Sequence, residues 1–575
     1  MPGVEQSSGG SLFIKGGQIV NDDSIFTSDI IVEDGTIKQV GPNLQPPAGA
    51  RVLDAAGKMV LPGGIDTHTH FQLPFAGATS VDDFLSGSKA ALAGGTTTVI
   101  DTVFPNVGES LLAAYERWRS WADNKITCNF GLSVVVSAWS DRTKEEMAQL
   151  AKEKGVNSFV FHMANKAQGY MLRDDALFQA FSHCKHIGAL ARVHAENGDV
   201  VQELQQQMLS LGITGPEGHL QARPEDLEAE ATNRACVLGK ATNCPIYILH
   251  VMSKGSAQAI AKNRKKGTIV FGEATAAGLG TDGTHYFNNC WRHAACHVTS
   301  PPLRPDSSTP GALMDMLASG ELYLAASNHR TFSSEQRSAG GSDFTKIPNG
   351  TNGVEERMAI VWEKGVHNGK MDAMRFVAGV HNGKMDAMRF VAVTSSNPAK
   401  LFNLYPKKGR IAAGADADIV VWDPSAKQKL SSKTHMSAAD MNIFEGQTCH
   451  GLPIITVCGG RVAFEGGKSL AASGSGKFVA LPPHCPHLFS VIHQRERVCL
   501  PEKVQRTDAP AGGGGGGESR IAAKQVTQQN TTSYGRPPTS AGTRNQFDSS
   551  VEDSRSARAS TKISQPPGGK TSGLW

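Results

Sequence analysis

Short apolar runs that alternate with polar positions occur near both ends of the folded region. Residues 12–14, 29–32 and 36–40 are typical of strands closed by Gly and Asp turn signals, and the segments 417–422, 454–457 and 461–464 repeat that pattern. Two β segments therefore flank one long middle segment. The simplest assembly joins both flanks in one small β-sandwich.

In the middle segment, strand-like runs alternate with helical patterns. The runs lie at residues 97–101, 130–136, 158–162, 191–194, 246–251 and 268–272. Repeated strand–helix alternation predicts a closed parallel (β/α)8 barrel of the TIM type, in which the chemistry is found at the C-terminal ends of the strands. The predicted organisation is residues 1–62 and 401–483 for the β-sandwich, 63–400 for the barrel and 484–575 for a C-terminal extension.

The C-terminal extension differs in composition from the rest of the chain. Six consecutive glycines at 512–517 precede a segment rich in Gln, Ser, Thr, Arg, Gly and Pro, which predicts a largely disordered tail.

A separate feature is the sequence GVHNGKMDAMRFVA, which occupies 365–378 and recurs identically at 379–392. One repeat is not an array, so we interpret it as a recent duplication or a gene-model error and assign it no function.

Charge and cysteine content narrow the class of protein. The net charge is +4, without the clustered positive charge that binding to a nucleic-acid backbone requires. The start of the chain lacks a secretory pattern, and no apolar run is long enough to span a bilayer. Ten cysteines without a C-x-x-C pair fit free thiols better than a disulfide framework. These features predict a cytoplasmic protein with neither a nucleic-acid partner nor a membrane span.

The clearest chemical motif is DTHTH at residues 66–70. In a strand, positions i and i+2 share a face, so His68 and His70 could hold one metal ion in a barrel mouth. His194 and His250 each close a further predicted barrel strand. Together, the four histidines indicate a candidate metal site.

Several ordered segments carry a resemblance to a known family, over roughly residues 12–500. The segments are PGGIDTHTH at 62–70, AALAGGTT at 90–97, VHAENGD at 193–199, GITGPEGH at 212–219, NGVEERM at 352–358 and FNLYPKKGRI at 402–411. The chain resembles the cyclic amidohydrolases of the dihydropyrimidinase group and their non-enzymatic relatives, the collapsin response mediator proteins.

The resemblance implies a two-zinc centre in the active hydrolases, held by four histidines, a carboxylated bridging lysine and an aspartate that accepts the proton of the bridging water. His68, His70, His194 and His250 match the four histidines. Val160 occupies the lysine position, Asn328 the aspartate position, and Asn165 the position of a tyrosine that polarises the scissile carbonyl. Without anionic ligands the site is expected to be vestigial or weak, with no catalytic residues and no cofactor.

An alternative remains open in which the protein is a zinc enzyme. His162 shares a strand face with Val160, so His68, His70 and His162 could form a mononuclear site, with Asn328 or His329 as a further ligand. The corresponding activity would be zinc-dependent ring opening of cyclic amides such as dihydrouracil.

The resemblance to the mediator proteins implies a non-catalytic scaffold in cytoskeletal regulation and axon guidance. It implies a homotetramer that binds tubulin and other cytoskeletal or trafficking proteins. The basic, Ser/Thr-rich tail supports this interpretation, and Arg555 and Arg558 make Ser560 and Thr561 candidate regulatory phosphorylation sites for a basophilic kinase.

Overall fold

A computed structural model describes residues 10–75, 77–367 and 384–498. This part of the chain holds two large sheets and one two-stranded ribbon. The strands, in chain order, are β1 (Leu12–Val20), β2 (Ile25–Glu33), β3 (Thr36–Gly41), β4 (Arg51–Asp54), β5 (Met59–Pro62), β6 (Gly64–Thr69), β7 (Pro74–Phe75), β8 (Ala78–Thr79), β9 (Thr96–Val103), β10 (Asn129–Val135), β11 (Ser158–His162), β12 (Leu190–His194), β13 (Ile246–Val251), β14 (Val270–Thr275), β15 (Leu324–Ala326), β16 (Ile419–Lys429), β17 (Thr448–Cys458), β18 (Arg461–Glu465) and β19 (Lys468–Ser469).

Eight parallel strands, β6 and β9 to β15, form a nearly closed barrel. Each pairs with its neighbour in chain order, and a bridge between Thr69 and His329 brings the two ends of the sheet together. Apart from Phe271, every residue of these strands is buried, because helices cover the outer face while side chains fill the interior. The predicted (β/α)8 barrel is confirmed. Its shortest strand, β15, has three residues and was not among the predicted runs.

The remaining long strands form one nine-stranded sheet drawn from both flanks. Strand β5 joins the two halves: Val60 pairs with Ile19 on one side and with Val421 on the other. Ile30 and Ile419 contribute to the same apolar core. As predicted, both ends of the body build one β unit beside the barrel, and the strands of the predicted β-sandwich form one continuous hydrogen-bonded sheet.

Helices follow the barrel strands and cover their outer face. The α-helices are Phe84–Ala93, Leu111–Ala122, Asp141–Glu153, Asp174–Ile187, Gly198–Ser210, Pro216–Gln221, Glu225–Thr242, Lys254–Lys265, Ala276–Gly280, Trp291–Cys296, Thr309–Ser319, Ser334–Ser338, Arg357–Val361, Ala387–Val391, Asn397–Leu401 and Pro486–Val498. Short 3-10 turns occupy Gly283–Phe287 and Phe344–Lys346, and π-helical turns occupy Trp362–His367 and Ala392–Ser396.

The helix Asp141–Glu153 shows how local sequence sets these boundaries. The hydroxyl of Ser140 accepts a hydrogen bond from the Thr143 backbone N–H, which satisfies a free donor at the helix start. Met147 and Leu150 are buried and lie three residues apart on the face toward the barrel. The pattern of caps and apolar spacing therefore matches the observed helix.

The folded body extends past the predicted boundary at residue 484. The helix Pro486–Val498 buries Leu488, Phe489 and Ile492, and His487 bonds the Tyr323 hydroxyl across 2.8 Å. Because these apolar side chains are removed from water, the first part of the extension is ordered. The predicted disordered tail, with Ser560 and Thr561, and most of the duplicated segment lie outside the described residues.

Candidate functional site

The H-x-H motif lies at the C-terminal end of β6, as predicted. His68 and His70 are buried, and their Nε2 atoms lie 3.0 Å apart. The imidazole rings meet edge to face, with centroids 4.8 Å apart. The strand geometry therefore brings both side chains to the barrel mouth.

His194 and His250 reach the same mouth from β12 and β13. His194 Nδ1 lies 3.0 Å from His250 Nε2, and the His250 ring stacks on His68 with centroids 5.4 Å apart. A register shift between Ile248 and Val251, together with a positive φ of 37° at His250, turns this side chain inward. The four predicted histidines are thus brought together.

A fifth histidine, His162, completes the cluster from the end of β11. Its ring stacks on His194 with centroids 5.1 Å apart. Its Nδ1 bonds the side-chain amide of Asn165 at 2.9 Å, whereas its Nε2 is buried and has no hydrogen-bond partner in the part of the chain that the structure describes. Burial lowers the pKa of His162 well below its ordinary value, so the imidazole is neutral near pH 7.

The three positions that depart from the hydrolase pattern also lie at the mouth. Val160, Asn165 and Asn328 line the same cavity as the histidines. Asn165 and Asn328 both have left-handed backbone conformations, with φ of 62° and 51°, which asparagine adopts more readily than most residues. His329 does not point into the mouth, because its Nε2 bonds Asp82 at 2.9 Å.

Two buried carboxylates support the histidines, and the sequence interpretation did not identify them. Glu273 Oε1 lies 2.5 Å from His68 Nδ1 and accepts the His250 backbone N–H at 2.8 Å. Burial raises the pKa of Glu273. The available sequence signal was a single carboxylate within the otherwise uncharged segment VFGEAT of β14.

The second carboxylate, Glu196, joins His194 to a buried arginine. Its Oε2 bonds His194 Nε2 and Arg223 Nη1, each at 2.8 Å. Burial alone would raise the pKa of Glu196, but Arg223 and His194 outweigh it and hold the pKa below its ordinary range. The Glu196 carboxylate is therefore ionised and is held in place by His194 and Arg223.

Two buried arginines place positive charge beside the histidines. Arg192 donates to the Thr67 carbonyl at 2.6 Å, and its Nε and Nη1 have no partner among the described residues. Arg330 bonds the Asn349 side chain and stacks 4.6 Å from the Phe75 ring centroid. Burial is the largest cause that lowers the pKa of His68, and the two arginines add to it.

The mouth offers little space and a poor set of ligands for two metal ions. Its cavity volume is about 30 Å3, which is room for one or two water molecules and far below the roughly 300–1,000 Å3 of small-molecule sites. In the described residues, no set of three candidate ligand atoms within 4.8 Å of one another occurs here. Histidines beside two guanidinium groups, with Val160 and Asn328 in place of ligands that could carry negative charge, do not fit a dinuclear zinc centre, which needs negative ligands.

Fold and site together define a class: a (β/α)8 barrel of the amidohydrolase type with a histidine cluster at the mouth. The amidohydrolase family matches residues 59–463. This chain belongs to the amidohydrolase family, and the predicted kinship with the dihydropyrimidinase group is confirmed.

The relatives include dihydropyrimidinases and dihydropyrimidinase-related proteins. Rat Dihydropyrimidinase is 55% identical over 499 residues, which cover 86% of this chain and 93% of the rat protein. Human Dihydropyrimidinase-related protein 5 is 45% identical over 572 residues, which cover 98% of each chain. The crystal structure of dihydropyrimidinase from Brevibacillus agri matches with a TM-score of 0.77 and 35% identity, covering 82% of this chain and 99% of that one.

In the described ranges 10–75, 77–367 and 384–498, no helix is both long and apolar enough to cross a membrane.

Proposed function

We propose that this chain is a non-catalytic dihydropyrimidinase-like scaffold. Its role would be cytoskeletal regulation through tubulin and trafficking partners, in axon guidance signalling in the cytoplasm. The observation that carries the proposal is the chemistry of the mouth, where Val160 and Asn328 stand at the positions of the bridging lysine and the aspartate.

The charge balance of the mouth supports the loss of hydrolysis. Val160 cannot form a carbamate, and Asn328 cannot accept a proton from water as a carboxylate does. Arg192 and Arg330 add two positive charges near the remaining histidines. A site for two dications requires negative charge at these positions, so tight zinc binding is disfavoured on electrostatic grounds.

The volume of the mouth gives a second, steric argument. Phe104, His162 and Arg330 are among the side chains that line the cavity of about 30 Å3. A six-membered cyclic amide has eight or so non-hydrogen atoms and needs several times that room. Entry of such a substrate would require Arg330 to leave its contacts with Asn349 and the Phe75 ring.

The extent of the similarity supports the scaffold interpretation as well. The alignment with human Dihydropyrimidinase-related protein 5 runs over 98% of this chain and so includes the tail, whereas the alignment with rat Dihydropyrimidinase covers 86%. A homotetrameric body with a basic tail is the arrangement we propose, because a folded surface supplies a stable interface and the tail supplies charge.

The alternative function is zinc-dependent hydrolysis of cyclic amides. It is favoured by the higher identity, 55%, to rat Dihydropyrimidinase and by the five histidines at one mouth. Residual activity through a mononuclear site would need His68, His70 and His162 to converge on one ion.

The test measures ring opening of dihydrouracil and binding to tubulin with the same preparation. Purified full-length protein is incubated with zinc and bicarbonate, and the loss of substrate is followed beside rat dihydropyrimidinase as the positive control. We expect no turnover above the uncatalysed rate, together with co-sedimentation with tubulin. Zinc-dependent turnover abolished by His68→Asn would establish the alternative, and absence of tubulin binding would remove the proposed partner.

A further inference from the structure

A second histidine cluster lies outside the barrel mouth, in the segment that follows β14. The 3-10 turn Gly283–Phe287 carries His285, and the helix Trp291–Cys296 with its C-terminal cap carries His293 and His297. One ligand nitrogen from each of the three imidazoles lies within 4.8 Å of the other two. None of the three residues lines the mouth cavity.

The spacing of these histidines suits one metal ion. His293 and His297 lie at positions i and i+4 and share one helical face, which is the arrangement of a two-histidine zinc pair. His285 approaches that face from the preceding turn, with its Nδ1 2.9 Å from His293 Nε2. Imidazole nitrogens on one tetrahedral zinc ion lie roughly 3.3 Å apart, so the His285–His293 pair needs an adjustment of only a few tenths of an ångström. The His285 and His297 rings stack with centroids 4.3 Å apart, so the exposed side of the cluster must adjust further, by a turn of the His285 ring, to direct both lone pairs at one ion.

The burial and the tautomer of His297 independently indicate that its Nε2 binds a metal ion. The side chain is only 2% exposed, and its Nδ1 lies 2.8 Å from the His293 carbonyl. A carbonyl only accepts, so Nδ1 carries the proton and Nε2 carries a lone pair. Nε2 is buried and has no hydrogen-bond partner within the described residues. An unpaired buried acceptor is unfavourable, and a backbone carbonyl that fixes the tautomer is the usual second-shell support of a metal-bound histidine.

The surrounding charges permit metal binding. Burial lowers the pKa of His293 and lowers that of His297 to about 3, which leaves both rings neutral and able to bind a metal. Arg337, whose charge acts on His297, donates to four backbone carbonyls, among them that of Ala295 at 3.0 Å. Arg292 is paired with Asp440 at 3.1 Å.

We propose that His285, His293 and His297 form a site for one divalent transition-metal ion of the zinc class, separate from the barrel mouth. The half-buried rings of His285 and His293 lie at the solvent side, so water can occupy the fourth position. The ion would stabilise the conformation of the segment 283–297. This segment leads directly to Ser300, which lines the mouth cavity. This inference does not depend on whether the mouth is catalytic.

The experiment is zinc binding by the full-length protein after removal of metal with a chelator. Equilibrium dialysis against buffered free zinc gives the zinc content per chain for wild type, His285→Gln and His293→Gln. His68→Gln controls for the mouth, and His186→Gln controls for an exposed histidine elsewhere. We expect the tightest-bound ion to be weakened roughly tenfold or more by the first two substitutions and to be unaffected by the two controls.

A second measurement locates the ion without substitution. Carbethoxylation of histidines by diethyl pyrocarbonate, mapped by peptide mass spectrometry, should be reduced by zinc at His285 and His293 and unchanged at His186. Zinc isotherms of His285→Gln and His293→Gln that coincide with wild type would overturn the proposal. So would loss of the tight ion in His68→Gln alone, or zinc-independent labelling of both candidate ligands.

Discussion

His68 Nδ1 lies 2.5 Å from Glu273 Oε1, and this contact determines what the other ring nitrogen can do. With the Nδ1 proton donated to the carboxylate, the Nε2 lone pair of His68 faces His70 Nε2 across 3.0 Å. One hydrogen bond therefore joins the two histidines, and a metal ion bound at either Nε2 would have to displace it, while His70 Nδ1 is buried without a hydrogen-bond partner in the described residues. Glu273 thus fixes the orientation of the His68 ring at the mouth.

The charge of the mouth can be restored by substitution. Val160→Lys together with Asn328→Asp should increase zinc retention, because the pair returns a possible carbamate and a carboxylate to a mouth that still has its histidines. Metal analysis after gel filtration gives zinc per chain. Val160→Met with Asn328→Leu is the control of matched size without charge. Equal zinc in the restored and parent proteins would show that the assignment of these two positions is wrong.

Stability should depend on pH through His435. Burial alone would lower the pKa of this histidine, but the negative charges of Glu356, whose Oε1 lies 3.8 Å from Nδ1, and of Glu355 outweigh it and raise the pKa to about 9, from an ordinary value of 6.5. The raised pKa means that the stabilisation is complete below pH 6.5 and is lost as pH rises toward 9. Its size is about 1–3 kcal/mol after partial solvent screening.

The measurement for His435 is the thermal unfolding midpoint between pH 6 and pH 9. Wild type should lose stability over this range by more than His435→Gln, which cannot titrate. His186→Gln, at an exposed position, should follow the wild-type curve. Parallel curves for wild type and His435→Gln would contradict the predicted linkage.

The C-terminal helix should belong to the stable body. A chain that ends at residue 498 should keep the unfolding midpoint of the full-length protein and should give the mass of the proposed tetramer in light scattering. A chain that ends at residue 484 should unfold at lower temperature, because Leu488, Phe489 and Ile492 contribute at most roughly 1.5–3 kcal/mol each. A monomeric mass for the chain ending at 498 would exclude a tetramer built by the body alone.

The tail should act as a charge-dependent switch on partner binding. From residue 505 onward, nine Lys and Arg stand against five Asp and Glu, a net charge of +4. Ser560→Glu with Thr561→Glu removes about half of that excess and should weaken salt-sensitive binding to tubulin, whose surface is acidic. The matched control is Ser560→Ala with Thr561→Ala, which keeps the charge. Equal tubulin pull-down by both variants and by a chain ending at 505 would eliminate the switch.

The sequence by itself was sufficient for the barrel, because parallel strands buried on both faces appear as continuous apolar runs such as SFVFH at 158–162. It also predicted that both flanks form one β unit and that His68, His70, His194 and His250 meet at one mouth. These predictions rest on local periodicity and on the rule that strand ends share one edge. The three-residue strand β15 was missed because so short a run has no period of its own.

Tertiary structure alone decided the state of the mouth. Glu273 and Arg192 are both distant in the chain from His68, so only folding reveals that Glu273 accepts the proton of His68 Nδ1 and that the charge of Arg192 opposes a metal ion. The sequence also did not predict that the helix Pro486–Val498 is ordered. Its apolar residues indicate a folded helix only once the barrel surface that buries them is known. The cluster of His285, His293 and His297 likewise depends on a turn that returns His285 to a helical face. In each case the stabilising contacts join segments that are distant in the chain, so no local sequence pattern predicts them.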